Sequence, residues 1–386
     1  MRKIFLILLM LSPLIAFAQG KQSDELAVFI NEYQQIQKVI TDKDAVIKYV
    51  LSKEDDSETY YKALVMRKFY NFPKVVRIAK QTAIENDTTN FNSNVVKSLL
   101  EYVLPFLDGI ENVYFQAVGF IESLPIEYVS INDNEMFCQA YNVYRVSAMK
   151  VILQKDSPRK DYKTAAVYGG IDYDTDTLTL SEVVEYDNIQ SEKPDHSLTL
   201  PQKISFPYLR GTAQEAKAID STLSASKIQS HLYSDMIAPE ETFKNLSGKA
   251  PDIIHLSTHI WHTDDDISAI LFAGANRLSG CNHLEDGFLT DDEIQKLDLS
   301  KTDLLVLASA KCDIYKSFKL AGINSIMMSC WNVYDNPTYM LMSDFYKNLV
   351  SGMSKQKSLL DAVLKVKAKY KNPKAWAAFL LLDGLN

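Results

Sequence analysis

Two apolar runs of the sequence end in residues whose side chains could do nucleophilic chemistry together. The run Ile253 to His259 carries His259 at its end, and the run Asp303 to Ala310 leads to Cys312. An imidazole that removes the proton of a thiol turns the sulfur into a nucleophile able to attack a carbonyl carbon. These residue types predict a base and a nucleophile, provided that the fold brings the two run ends together.

Both runs have the composition of buried strands, and helical stretches separate them from further apolar runs. This pattern predicts an α/β fold with a mostly parallel sheet sandwiched by helices. Ligands of such sheets bind beyond the carboxyl ends of the strands. His259 and the segment from Ala310 to Cys312 would both lie at that edge.

Length and charge limit the class of protein. The 386 residues suffice for two domains, and the 47% of hydrophobic residues allows a sizeable core. The formal net charge of −8 argues against nucleic acid as a partner, because a nucleic-acid-binding protein normally carries a basic face.

Residues 1–18 have the pattern of a secretory signal peptide. Arg2 and Lys3 precede an apolar stretch, and Ala16 and Ala18 form a small-x-small cleavage site before Gln19. The apolar stretch is shorter than the roughly 20 residues of a membrane span. We therefore expect a periplasmic or extracellular protein without a stable membrane span after signal cleavage, with a retained anchor as the main alternative.

Cysteine and histidine spacing gives no support for a metal or another cofactor, so we expect none. The sequence has four cysteines and lacks the C-x-x-C pair of a zinc ribbon, and a disulfide between Cys312 and Cys330 is left open. A zinc site built from His255, His259, His262 and residues 264–266 would lack the helical spacing of known two-histidine motifs. His255 is instead predicted to be a buried, hydrogen-bonded support.

Two other stretches carry predictions about organisation. Apolar residues recur with helical spacing from Ser23 to Lys53. The stretch from Thr175 to Pro207 is polar and contains three prolines, which is typical of a linker or of an excursion from the fold.

A series of segments, in order along the chain, resembles one family. They are Tyr60 to Pro73, Tyr141 to Ser147, Leu209 to Thr212, Ile253 to His259, Leu271 to Asn276, Glu285 to Leu299, Ser329 to Asp335 and Trp376 to Asn386. With these segments the chain resembles the CHAT family of caspase-like cysteine peptidases, which is related to separases. The resemblance implies a caspase-like fold in two halves and peptide-bond hydrolysis by a Cys–His dyad without a metal.

The same resemblance implies a domain organisation. After the signal peptide, residues 19–43 are expected to form a short helical segment. Many family members carry a long tetratricopeptide region at this point, and in this chain that region is missing or reduced to these residues. Residues 44–205 correspond to an N-terminal pseudo-protease half, and residues 206–386 to the caspase-like protease half that holds the site.

Matched residue by residue, His259 falls on the catalytic histidine of the family. Ile260 replaces the usual glycine after it, but retains a backbone N–H that could help to hold an oxyanion. Trp331 to Asp335 falls on the segment that, in separases, supplies an acid to the pocket for a basic residue. Trp331 and Asp335 are therefore candidate substrate-binding residues, with Asp335 either a buried specificity acid or the N-cap of the helix before Pro337.

The nucleophile is where the sequence departs from the family, which usually reads Leu-Ser-Ala-Cys-Glu-Thr-Gly there. A gapless match from Asp303 places Ala310 at the cysteine position, whereas matching Ser309-Ala310 to Ser-Ala places Lys311 there. Cys312 fits only if Lys311 is an insertion.

Two functions follow from this departure. The preferred one is an inactive pseudopeptidase that binds a polypeptide or protein partner. The alternative is an active peptidase that uses Cys312 with His259 on a polypeptide substrate. A purely structural envelope protein is a third, weaker possibility.

Overall fold

The computed structural model describes residues 23–55, 58–87, 93–186, 205–262, 267–277, 284–308 and 314–386. It divides into two compact units, one formed by Met1–Ser157 with Leu382–Asn386 and the other by Pro158–Leu381. Each unit has a sheet flanked by helices, and the predicted α/β class with a mostly parallel sheet is confirmed. The two caspase-like halves, 44–205 and 206–386, stay a prediction.

The described residues of the first unit form five strands and four α-helices. The strands are β1 (Asp44–Asp55), β2 (Glu58–Arg67), β3 (Lys74–Lys80), β4 (Asn112–Gln116) and β5 (Asn142–Arg145). The helices are α1 (Ser23–Val39), α2 (Gln81–Glu85), α3 (Asn94–Glu101) and α4 (Phe137–Ala140). The strand order is β3-β2-β1-β4-β5, with β1 antiparallel to β2 and parallel to β4.

The second unit contains the predicted site. Its strands are β6 (Thr164–Ile171), β7 (Gln229–Asp235), β8 (Ile253–Ser257), β9 (Ile260–His262), β10 (Ser268–Leu271), β11 (Phe288–Thr290), β12 (Leu304–Leu307), β13 (Ser325–Ser329) and β14 (Phe379–Leu382). Its helices are α5 (Thr177–Tyr186), α6 (Arg210–Ala225), α7 (Glu240–Lys244), α8 (Asp291–Lys296), α9 (Tyr315–Leu320), α10 (Asp335–Val350) and α11 (Lys355–Lys369).

The main sheet of the second unit has the order β14-β13-β12-β8-β6-β7, and β9, β10 and β11 form a small antiparallel sheet. Every residue of β8, β12 and β13 is buried, as expected for central parallel strands covered on both faces. Helix α6 lies very close to β6, because a Cβ at Gly169 would stand only 2.7 Å from the carbonyl oxygen of Thr212.

Two predictions about local structure were wrong. The helix predicted from Ser23 to Lys53 ends at Val39, and β1 begins at Asp44. The residues that follow Asp44 are rich in β-branched and aromatic side chains, which fit a buried strand better than a helix. The stretch predicted as a linker contains α5, whose first turn is held by a hydrogen bond from the N–H of Thr179 to the Asp176 carboxylate. Residues 187–204 of that stretch lie outside the described residues.

Candidate functional site

The two apolar runs that carry the predicted chemistry are neighbouring parallel strands. Strands β8 and β12 pair so that Leu256 lies opposite Leu307, and the N–H of Ala308 donates to the carbonyl of Leu256 at 2.9 Å. Both strands therefore end at one edge of the sheet, as the sequence predicted. Ala310 and Cys312 themselves lie outside the described residues.

The backbone of His259 is held on both sides just beyond the end of β8. Its N–H donates to the hydroxyl oxygen of Tyr173 at 3.2 Å, and its carbonyl accepts the N–H of Leu271 at 3.0 Å. The imidazole packs against the rings of Tyr173 and Phe206, with centroid distances of 5.1 and 5.6 Å. These contacts fix the histidine in one place and leave it half-buried.

A main-chain carbonyl determines which imidazole nitrogen carries the proton. The Nε2 atom of His259 lies 2.9 Å from the carbonyl oxygen of Pro207, which can only accept a hydrogen bond. Nε2 must therefore be protonated, and in the neutral ring Nδ1 has the free lone pair of a base. Burial lowers the pKa of His259 and outweighs the bond to Pro207, which raises it. The ring is consequently neutral, and able to accept a proton, at neutral pH.

The residue after the histidine keeps a donor that faces away from its neighbouring strand. The bond from the Leu271 N–H to the His259 carbonyl makes these two a hydrogen-bonded pair of the β9–β10 ladder. The next pair, Ile260 with Ile270, is then a non-bonded pair, whose N–H groups point away from the partner strand. The side-chain change from glycine to Ile260 thus leaves the predicted oxyanion donor in place.

The histidine within β8, His255, is buried and hydrogen-bonded, as predicted. The His255 ring is fully buried, with Nδ1 3.2 Å from the hydroxyl of Tyr346 and Nε2 3.1 Å from a carboxylate oxygen of Glu215. Both nitrogens are engaged by these partners, and neither contact involves His259. Residues 264–266 of the zinc hypothesis lie outside the described residues.

Asp335 differs from both predictions made for it. It is exposed rather than buried, and it is the first residue of α10, with Tyr334 at the N-cap position. Its carboxylate lies against the first turn of α6, since a Cβ at Gly211 would stand 2.5 Å from Asp335 Cγ. The start of a helix is a favourable place for a carboxylate.

Asp335 also lines an open groove of about 520 Å³ with Tyr334, Tyr370 and Asn372. Its neighbour Gly211 is four residues from Pro207, the residue bonded to His259. Four residues of extended chain span at most about 14 Å. His259 and Asp335 therefore both contact the short segment from Pro207 to Gly211. The indole Nε1 of Trp331, the other candidate substrate-binding residue, donates to the carbonyl of Lys374 at 3.0 Å.

The sequence analysis did not predict a buried acidic cluster in the second unit. Among the described residues, the acidic and histidine groups close enough to share an ion are Glu240, Glu285 and Glu293. The ammonium of Lys244 lies among them, at 2.8, 2.9 and 2.7 Å from their carboxylates. Glu293 also closes a capping box with Thr290, but nothing local in the sequence pairs it with Lys244.

Comparison with known proteins identifies the domain. A family model described as the CHAT domain matches residues 95–384. The Saccharomyces cerevisiae separase–securin complex is similar in structure, with a TM-score of 0.51 and 10% identity over 93% of this chain and 31% of that chain. The Arg-specific cysteine proteinase gingipain R gives a TM-score of 0.43 at 10% identity, covering 78% of this chain and 70% of the other.

The separase likeness supports the caspase-like fold alone, because the sequences are so distant. No curated protein sequence matches the chain. Within the described residues, none of the helices combines the length and the apolar character needed to cross a membrane.

Proposed function

The chain belongs to the CHAT domain family, and from that premise we propose that it is a pseudopeptidase that binds a polypeptide or protein partner at the edge where β8 and β12 end. Its ancestry is that of a cysteine endopeptidase. In the separase–securin complex, a protein with a similar fold binds a partner protein.

The pairing register of the two strands carries this proposal. Leu256 and Leu307 lie opposite each other, His259 is three residues beyond the first, and Ala310 is three residues beyond the second. His259 and Ala310 therefore follow the two paired leucines by the same number of residues, and Cys312 comes two residues later in the sequence. Alanine has no atom that can attack a carbonyl, so the gapless register favours loss of hydrolysis.

Two described groups could hold a polypeptide. The Ile260 N–H faces away from β10 and can donate to a peptide carbonyl. The exposed Asp335 carboxylate lines a groove suited to a basic side chain. We therefore propose recognition of an extended segment with a Lys or Arg residue near the former cleavage point.

Hydrolysis by Cys312 is the second candidate, and the geometry of His259 favours it. A base with Nε2 protonated and Nδ1 free could take the thiol proton, after which the thiolate would attack the peptide carbonyl. The proton would then pass to the departing amine, and water would hydrolyse the thioester. This function requires chain geometry after β12 that compensates for the two-residue offset, since misplacement by about 1 Å can cost a hundredfold in rate.

Fluorescein-labelled casein distinguishes the two candidates, because binding raises its anisotropy and hydrolysis produces fragments on a gel. The pseudopeptidase proposal predicts saturable binding without fragments, weakened by Asp335→Asn and unchanged by Cys312→Ser. Fragments that disappear in both His259→Ala and Cys312→Ser would refute it in favour of the peptidase. Absence of both binding and fragments would refute polypeptide recognition. Lys365→Met, a surface change on α11, is the control.

We also propose export to the periplasm or the extracellular space, on the pattern of residues 1–18 alone.

A further inference from the structure

We infer that Asn276 is a positioning residue for His259: its side chain clamps the main chain of Phe206 and thereby fixes the Pro207 carbonyl on the imidazole. The inference rests on the proposed site, in that His259 is its base. In this role, Asn276 holds the His259 imidazole in a single tautomer.

Asn276 bonds both main-chain polar groups of one residue, as a neighbouring strand would. Its side-chain oxygen accepts the N–H of Phe206 at 2.9 Å, and its side-chain nitrogen donates to the Phe206 carbonyl at 3.0 Å. The Phe206 ring packs at the same time against Trp261 and Phe288, with centroid distances of 6.5 and 6.1 Å. Phe206 is therefore fixed in both its backbone and its ring.

The link from this clamp to the imidazole is stiff. A residue before proline is restricted to extended conformations, which suits the two bonds that Asn276 makes to Phe206. Proline then fixes its own φ, and the peptide bond between the two residues is planar. Between the clamped carbonyl of Phe206 and the carbonyl of Pro207, ψ of Pro207 is the soft torsion. The clamp consequently determines the position of the oxygen 2.9 Å from His259 Nε2.

Asn276 also bonds to Tyr173, the second residue that holds His259 in place. The backbone N–H of Asn276 donates to the carbonyl of Tyr173 at 2.9 Å, and its side-chain nitrogen lies 3.3 Å from a carboxylate oxygen of Asp174. Tyr173 in turn accepts the backbone N–H of His259 and packs on its ring. One residue thus joins the group that holds the histidine backbone to the segment that holds its Nε2 proton.

The chemistry of the clamp requires a carboxamide. Phe206 presents a donor and an acceptor side by side, and a short side chain that offers an acceptor and a donor matches both. Aspartate would keep the bond to the N–H but bring a second oxygen against the Phe206 carbonyl. Alanine would lose both bonds, so the two variants should release the Pro207 carbonyl to different extents.

The test reads the imidazole itself by NMR on protein labelled with ¹⁵N-histidine. In the unmodified protein we expect a protected Nε2 proton on His259. In Asn276→Ala and Asn276→Asp we expect its exchange with water to be at least tenfold faster, because an unbonded imidazole proton exchanges freely. The His255 ring, held by Glu215 and Tyr346, is the internal reference for folding.

Asn324→Ala is the matched control, since its side chain also donates one hydrogen bond, to Asp303 at 2.7 Å before β12 begins. It should leave the His259 proton unchanged. Unchanged exchange in both Asn276 variants would overturn the inference, as would loss of the His255 signal in both, which would make Asn276 a general folding residue. If casein does not bind but the exchange responds, the proposed function fails and this positioning role stands.

Discussion

Removing the charge of Lys244 should destabilise the protein strongly. Lys244→Met keeps the apolar stem but takes away the ammonium that lies 2.8, 2.9 and 2.7 Å from the carboxylates of Glu240, Glu285 and Glu293. The Glu240 and Glu285 side chains are only 1% and 4% exposed, so water cannot replace the lost partner. The variant leaves buried carboxylates without their counter-ion.

The expected loss at pH 8 is about 3 kcal/mol in the free energy of unfolding. Removing one partner of a buried ion pair costs roughly 3–5 kcal/mol, whereas a surface pair is worth about 0–1 kcal/mol. Lys244 is 20% exposed, which places the loss at the lower end of the buried range. The matched control is Lys365→Met, whose pair with Asp361 has side chains 44% and 43% exposed and should cost less than about 1 kcal/mol.

The pH dependence gives the prediction a second test. Burial lowers the pKa of Lys244, but the carboxylates of Glu240 and Glu293 outweigh burial and raise this pKa in the folded state. The Lys244 charge therefore stabilises the folded protein fully below pH 10.5, the ordinary pKa of lysine. This stabilisation is lost only as the pH rises through the raised pKa of Lys244 in the folded state. Burial raises the pKa of Glu240 and Glu285 above 4.5. Without Lys244 the folded state therefore binds more protons than the unfolded state, and the deficit should shrink as the pH falls.

Urea unfolding followed by circular dichroism at pH 8 and pH 5.5 measures both effects. We expect the loss relative to the unmodified protein to be smaller at pH 5.5. A loss below 1 kcal/mol at pH 8, or a deficit that increases toward pH 5.5, would show that the cluster does not depend on the Lys244 charge.

Two further predictions concern glycine packing and processing. Gly170→Ala should lower the free energy of unfolding by about 2–4 kcal/mol, because φ of Gly170 is +69° and the new Cβ would stand 2.6 Å from the Cβ of Ala213. Gly109→Ala is the control, since φ of Gly109 is +74° but its surroundings are open. It should lower the free energy of unfolding by only about 1 kcal/mol in the same urea assay. Equal losses would mean that β6 and α6 can separate freely. If residues 1–18 are a signal peptide, mass spectrometry of the secreted or periplasmic protein should give a mature chain starting at Gln19, and a chain starting at Met1 would contradict export with cleavage.

The sequence predicted the strands of the site well because their signal is local. The apolar runs of β8 and β12 are continuous and short, which is typical of parallel strands covered on both faces. The capping box between Thr290 and Glu293, whose two hydrogen bonds the structure has, depends on a sequence pattern that is equally local.

The contacts that orient the base could not be predicted in this way. The carbonyl of Pro207 and the imidazole of His259 are 52 residues apart in the sequence, and a main-chain carbonyl has no residue-type signature. Polar character and proline content made the Pro207 stretch resemble a linker. Asn276 did lie in a matched segment of the family series, and an asparagine after Ala-Gly-Ala was the one available signal for it.

The prediction for Asp335 failed for a different reason. Its helix start was placed correctly near Pro337, but a carboxylate at a helix start can serve its own helix or a neighbouring one. Gly211, which makes room for it at the start of α6, lies more than 120 residues earlier, so only the tertiary structure decides between the two.

Alkylation of a cysteine introduced at position 310 tests most directly whether His259 is a preserved base facing a lost nucleophile. Ala310→Cys is made together with Cys312→Ser, iodoacetamide is added from pH 6 to pH 9, and the modified residue is located by peptide mapping. Lys311→Cys in the same background is the matched control for exposure.

We predict that the thiol at position 310 reacts at pH 7 at least about tenfold faster than in the same protein with His259→Ala, because a neighbouring imidazole brings a thiol pKa below its ordinary value of about 8.5. The thiol at position 311 should not respond to His259→Ala. Equal rates at position 310 with and without His259 would contradict the proposal that position 310 once held the nucleophile of His259.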